Sequence, residues 1–267
     1  MKVNFLLIGA AKSATTSLSA GLAQHPDICF STPKEPDFFN RADWRLQLDD
    51  YHSLFKKSAK LYGEGSTNYS KYPRYNKNIV SDIYEYNSDM KIIYIMRHPI
   101  DRLLSYYIHS YNRGYETIND VNIALKTGQH YIDTGKYAMQ IEPYIKTFGK
   151  SNVLLLFFED FINDPKKTTN QVFDFLHLPL FVLNSKSLNI NKSFNRRTLH
   201  HKYDDPKSFG AKLNKLIQIL RNYSNSDFID QKPLISEATK AYVIEHCKED
   251  ILKIEKIAQR DLSHWMH

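Results

Sequence analysis

Apolar residues gather into three short, nearly unbroken runs: Val3 to Gly9, Lys91 to Met96 and Val153 to Phe158. Runs of this length without polar alternation predict strands buried on both faces, as in a parallel sheet. Each is followed by a loop and then by apolar residues at helical spacing, at Thr15 to Gln24, Pro99 to Asn112 and Lys166 to Leu176. Pro99 falls where the first turn of a helix tolerates it. Leu61 to Glu64 predicts a fourth, short strand. Strands alternating with helices predict an α/β fold, a three-layer sandwich around a central parallel sheet, in a single domain. The C-terminal third changes character. Ala211 to Arg221 and Glu237 to Ile257 carry helical spacing, as at Leu213, Leu216, Ile217 and Leu220. Between Val182 and Phe209 runs a polar, basic stretch with few element signals, and loops that long inside compact domains are often functional.

Composition narrows the classes. The 267 residues hold no uninterrupted apolar stretch near the roughly 18 residues of a membrane span. The first apolar run, Val3 to Ala11, contains Asn4 and meets Lys12 and Ser13 at once, which is not the build of a secretory signal. The expectation is a soluble, cytoplasmic protein without nucleic-acid or membrane partners. Thirty-six basic against 29 acidic residues leave +7, which suits an anionic ligand and falls short of a nucleic-acid coat. Cys29 and Cys247 form neither a metal pattern nor a disulfide framework, and read as small buried hydrophobes. His177, His200, His201 and His264 show no metal-ligand spacing. The lysines at 56, 57 and 60, and at 166 and 167, read as solvated helix faces. Eleven of the 18 tyrosines lie between Tyr62 and Tyr115, either lining a cleft or filling a core.

Two strand-to-helix turns carry candidate chemistry. The first is Phe5-Leu-Leu-Ile-Gly-Ala-Ala-Lys-Ser-Ala-Thr-Thr-Ser-Leu18. Backbone N–H groups at a helix start are unpaired and have the positive end of the helix dipole behind them, a ready phosphate site. Ser13, Thr15, Thr16 and Ser17 add hydroxyls, and Lys12 adds a point charge able to meet charge developing on a transferred group. The order is not the Walker pattern, where Gly-Lys-Ser/Thr closes the loop. A plain capped helix with a surface lysine is the alternative for this segment alone. The second turn is Lys91-Ile-Ile-Tyr-Ile-Met-Arg-His-Pro-Ile-Asp-Arg-Leu-Leu-Ser-Tyr-Tyr107. Arg97 stands at the strand's carboxyl end, in the ligand crevice of such sheets, and its planar fork suits a terminal phosphate. Ser105 falls about two turns into the following helix. Asp101 and Arg102 suit a surface pair.

Together the segments resemble the cofactor signature of sulfotransferases that use 3'-phosphoadenosine 5'-phosphosulfate (PAPS). Lys12-Ser-Ala-Thr-Thr-Ser-Leu18 matches the family's Lys-[Ser/Thr]-Gly-Thr-[Thr/Ser] turn, and Arg97-His-Pro-Ile-Asp-Arg-Leu-Leu-Ser-Tyr-Tyr107 its second motif. Lys34-Glu-Pro-Asp-Phe-Phe39 resembles the Lys-Glu-x-x-Phe-Phe segment of the heparan-type and bacterial branch. Tyr62 to Tyr69, Val153 to Asp160 with Asp164-Pro165, and Asp261 to Trp265 resemble further segments of that branch. The resemblance implies a P-loop-like sulfotransferase fold. It implies that Lys12 and residues 13–17, Ala14 included, hold the 5'-phosphosulfate, that Arg97 and Ser105 hold the 3'-phosphate, and that Glu35 is the general base. PAPS is already activated, so no metal is required, and the product is 3',5'-ADP. Phe38, Phe39, Glu64, Tyr69 and His109 are further acceptor-side candidates, and Asp37, Glu64 and His109 are the next candidate bases. The loops at Phe38 to Trp44 and Gly114 to Tyr137 are expected to shape the pocket. The acceptor expected is a small-molecule natural product or a saccharide, with a glycosaminoglycan-like polysaccharide as the alternative.

The chain departs from the pattern in places. Ala14 replaces the usual Gly, a strained choice if that backbone needs positive φ. The branch's later basic loop has its best match at Asn191-Lys-Ser-Phe-Asn-Arg-Arg-Thr198, where Arg197, then Lys192 and Arg196, are the candidate contacts to the 3'-phosphate or adenine. A second catalytic lysine of the heparan-type branch falls at Gly65. A P-loop kinase or NTPase is the rival enzyme reading, because Val153 to Asp160 resembles a strand ending in a Mg²⁺ carboxylate. A basic binding module is the rival from another class.

Overall fold

The computed structural model describes residues 1–184, 188 and 228–267. Five strands, β1 (Phe5–Gly9), β2 (Ile28–Phe30), β3 (Leu61–Glu64), β4 (Lys91–Met96) and β5 (Val153–Phe157), form one sheet in the order β2-β3-β1-β4-β5. Every pairing is parallel. The helices are α1 (Thr15–Leu22), α2 (Leu48–His52), α3 (Ile79–Tyr86), α4 (Pro99–Asn112), α5 (Val121–Thr127), α6 (Gln129–Asp133), α7 (Tyr137–Phe148), α8 (Phe158–Asn163), α9 (Pro165–Phe175) and α10 (Glu237–Ala258).

The unbroken apolar runs are explained by cover on both faces. Along β1, Leu6 and Ile8 enter one core while Phe5 and Leu7 enter the other; β4 divides Ile92, Tyr94 and Met96 from Ile93 and Ile95 in the same way. The larger core packs the sheet against α3, α4, α7 and α10, and the smaller against α1 and α9. The predicted α/β sandwich with a central parallel sheet is therefore the observed architecture. Cys29 and Cys247 are both buried and free.

Strand β2 was not legible because three residues carry no periodicity. Helix α7 holds Pro143 in its interior, a residue that ordinarily argues against a helix. The expected loop from Gly114 to Tyr137 contains α5, capped by Asp120 accepting from Asn122 N and Ile123 N, and then α6. The second motif needs one correction. Arg102 is 1% exposed and donates to Tyr131 O at 3.2 Å and Thr134 Oγ1 at 3.1 Å, while Asp101 pairs with Lys232 at 2.9 Å, so the two form no surface pair. The predicted helix at Ala211 to Arg221, and Lys192, Arg196 and Arg197, lie outside the described residues. Among the described residues no helix is long and apolar enough to cross a membrane.

Candidate active site

The turn between β1 and α1 is tight for visible reasons. At Gly9, φ is +155°, and a Cβ there would stand 2.1 Å from Ser70 Oγ and 2.9 Å from the Tyr94 ring. Ser70 Oγ donates to Ile8 O at 2.6 Å, locking the loop after β3 against β1. Lys12 (φ 74°) and Ala14 (φ 63°) then take left-handed conformations. The position where Gly is usual does need positive φ, so Ala14 holds it under strain. Helix α1 has no side-chain cap and no acidic residue in its first turn, and its first intrahelical bond is Leu18 N to Ala14 O. The N–H groups of Thr15 and Thr16 precede that bond. Ser13 is completely buried, and its Oγ has no hydrogen-bond partner among the described residues. Thr15 and Ser17 are buried, whereas Thr16 faces out.

Cations from three loops converge on this turn. Arg97 donates from Nη1 to Lys12 O at 3.3 Å, lies 4.3 Å over the Phe158 ring, and is fixed through its own carbonyl by Tyr137 Oη at 2.6 Å. Burial chiefly, then repulsion from Arg113, Arg97 and Lys71 against the opposing pull of Glu35, lowers the Lys12 pKa to about 8. Burial together with Lys12, Arg113 and Lys71 pushes His109 down to about 3, so its ring is neutral. Lys71 is 8% exposed, with Nζ 5.0 Å from the Tyr106 ring and 5.8 Å from that of Tyr75. Ser105 is buried on α4. Lys71 and Arg113 lie in no motif. The one signal for Arg113 is its place one helical turn beyond His109.

The loops after β2 and β3 supply carboxylates. Lys34 Nζ donates to Glu35 Oε1 at 2.5 Å and to Thr15 Oγ1 at 3.3 Å, and Thr67 Oγ1 donates to Glu35 Oε2 at 3.4 Å. Glu35 is thus held between the α1 turn and the β3 loop. Asp37 accepts from Asn68 Nδ2 at 2.7 Å, and its N–H donates to Ser66 Oγ at 2.9 Å. Burial and the neighbouring Glu35 charge raise Asp37 to about 6. Glu64, completely buried, accepts from Ser66 Oγ at 2.7 Å, and burial lifts it to about 8.

The structure separates the candidates. Lys12, residues 13–17, Glu35, Arg97 and His109 gather at the carboxyl edge of the sheet. Phe38, Phe39 and Tyr69 go into the core instead: Phe38 stacks on Tyr51 at 4.0 Å, and Tyr69 Oη accepts from Phe39 N at 3.2 Å. Glu64 lies beneath the same loops without exposed surface. The Tyr-rich stretch divides likewise, with Tyr69, Tyr94 and Tyr107 inside and Tyr72, Tyr75, Tyr84 and Tyr115 outside. The β5 carboxylates are engaged by the protein. Glu159 Oε1 accepts from His98 N at 2.9 Å, and Arg260 forks onto Asp160, with Nη2 to Oδ1 at 2.9 Å. Among the described residues no group of three or more His, Cys, Asp and Glu is placed to hold a metal ion.

The arrangement places Glu35 after β2, Thr67 after β3, Lys12 to Ser17 after β1 and Arg97 after β4, in sheet order across the crevice where connections reverse direction. Against known proteins, a family model described as a sulfotransferase domain matches residues 2–251. Heparan sulfate glucosamine 3-O-sulfotransferase 3B1 of Mus musculus is 27% identical over 183 residues, covering 65% of this chain and 45% of that protein. The chain spans about half the length of the curated relatives it matches. Among solved structures, a sulfotransferase from Alicyclobacillus acidocaldarius is 24% identical with a TM-score of 0.73, over 100% of both chains. A mouse sulfotransferase complexed with PAP is 15% identical with a TM-score of 0.54, over 98% of this chain and 90% of that one. These structural likenesses show the fold.

Proposed function

The chain belongs to the sulfotransferase family, and on that footing we propose that it transfers a sulfuryl group from PAPS to a hydroxyl or amine of a small molecule or saccharide, releasing 3',5'-ADP. The observation that carries this reading is the turn after β1. There a buried serine hydroxyl without a partner among the described residues, a helix start without a side-chain cap and a lysine crowded by three other cations all favour a bound anion. The residues present at this turn therefore fit an anionic group such as the phosphosulfate of PAPS.

In this reading Lys12, Ser13 and the first turn of α1 hold the 5'-phosphosulfate, while Arg97 and Ser105 hold the 3'-phosphate. PAPS supplies the activated sulfuryl group, so the chain's own residues have to bind, orient and move one proton. Lys12, with its pKa lowered to about 8, keeps its proton at neutral pH and can meet negative charge growing on the bridging oxygen. In this reading Glu35 accepts the acceptor's proton as its oxygen or nitrogen bonds to sulfur. Lys71, one of the cations around Lys12, lies against the Tyr106 and Tyr75 rings, an aromatic neighbourhood that suits an acceptor with a ring or sugar face. The likeness to a heparan sulfate glucosamine 3-O-sulfotransferase favours a saccharide among these acceptors. Arg197, then Lys192 and Arg196, which lie outside the described residues, are the further proposed cofactor contacts.

The test is thermal unfolding with 3',5'-ADP against 5'-ADP plus Mg²⁺, on wild type and Arg97→Ala. A ligand at about 100 times its Kd adds roughly 2.7 kcal/mol. We expect stabilisation by 3',5'-ADP, reduced in Arg97→Ala. Stabilisation by the Mg²⁺ nucleotide alone would replace this reading with a kinase.

A further inference from the structure

We propose that Lys34 is the group that recognises the transferred sulfuryl, distinguishing the loaded donor from the spent nucleotide. The inference rests on the proposed use of PAPS and adds a residue to that site.

Three observations place Lys34. Its ammonium donates to Thr15 Oγ1, on the first residue of α1, at 3.3 Å, and to Glu35 Oε1 at 2.5 Å. It therefore bridges the anion-binding turn and the candidate base. The sheet order then decides which end of a bound nucleotide it meets. The Arg97 loop follows β4 and the Lys34 loop follows β2, with β3 and β1 between them. A nucleotide whose 3'-phosphate lies at Arg97 and whose 5' end lies on the β1 turn points its far end toward Lys34, Glu35 and Thr67.

The third observation is how the neighbouring loop holds this side chain. Gly65 N donates to Lys34 O at 3.1 Å, tying the two loops together. A Cβ at Gly65 would stand 3.4 Å from Lys34 Cε, an ordinary contact, and 3.3 Å from the Phe30 ring, so position 65 runs alongside the lysine's stem. Lys34 is half-buried, with 21% of its side chain exposed. A lysine needed for solubility alone would extend into water, and this one turns inward. A surface ion pair with the adjacent residue is worth little by itself, so the pairing with Glu35 does not explain the build. A cation aimed at a sulfuryl oxygen does: it is held ready by Glu35 and lies beside Thr15, where an anion would be seated.

The experiment compares binding of PAPS and of 3',5'-ADP to wild type, Lys34→Met, and Lys34→Met with Gly65→Lys. Lys34→Met keeps the apolar stem and removes the charge. Titration calorimetry at low temperature gives both dissociation constants, and thermal melts check folding. We expect Lys34→Met to weaken PAPS about tenfold, as for a lost charge-assisted contact, with 3',5'-ADP changed less than about twofold. The added lysine at 65, starting beside the same stem, should recover part of the loss. Equal weakening of both nucleotides, or no change in either, overturns the role of Lys34 and leaves the cofactor reading intact. A wild type that binds neither nucleotide overturns the cofactor reading, and this inference with it.

Discussion

Lys12 shows how a single residue converts position into chemistry. Its ammonium is expensive to keep, since burial and the charges of Arg113, Arg97 and Lys71 all favour losing the proton, and the pKa falls to about 8. A bound anion reverses that balance. Binding should therefore take up protons where free Lys12 is partly deprotonated, and affinity should fall as pH rises through about 8. Calorimetry of 3',5'-ADP binding in buffers of different ionisation enthalpy measures this. We expect uptake approaching one proton at about pH 9, abolished in Lys12→Met; wild type without uptake there would remove Lys12 from the phosphate site. Lys12 and Arg97 were legible because each follows a strand within a motif. Lys71 and Arg113 were not, because their charge matters only once β3 and α4 are folded against the same turn. Ala14 was legible as a departure, and its φ of 63° shows that the backbone makes the demand a glycine ordinarily meets.

At the scale of elements, strands were read best where both faces are buried. Strands β1, β4 and β5 appear as apolar runs because each contributes alternately to two cores. Strand β2 and helix α7 lacked that mark, one for length and the other for Pro143. The end of β3 carries a different burden. Glu64 is sealed beneath the Asp37 loop with its pKa raised from 4.5 to about 8. A raised carboxyl pKa means the folded state holds the proton longer than the unfolded chain. The stability this contributes is complete below about pH 4.5 and is lost progressively as pH climbs through 8. Glu64→Gln keeps the shape and cannot ionise. Urea unfolding of wild type should therefore lose stability between about pH 5 and 9 more steeply than Glu64→Gln. Parallel curves would mean that Glu64 ionises inside the fold without penalty.

The whole molecule places its chemistry along one edge, and whether that edge works as a unit depends on the domain being single. Two tryptophans report on its ends. Trp44 packs against Phe38, Phe39 and Tyr86 near the β2–β3 side, while Trp265 packs against Phe157 and Tyr137 beside β5. Both belong to the same apolar core, which spans the larger face of the sheet. If that core is one cooperative unit, a ligand stretched from the Arg97 loop to the Lys34 loop stabilises both ends equally, because it binds the folded state as a whole. Urea unfolding followed by fluorescence in Trp44→Phe and in Trp265→Phe isolates each reporter. We expect one transition in each variant, and the same increment in unfolding free energy at saturating 3',5'-ADP from either reporter. A Trp44 transition that precedes Trp265, or a ligand effect confined to one of them, would divide the chain into two units. The acceptor side around Glu35 could then open without unfolding the Arg97 side, and the ordering of contacts by the sheet would no longer hold the donor and the base in register.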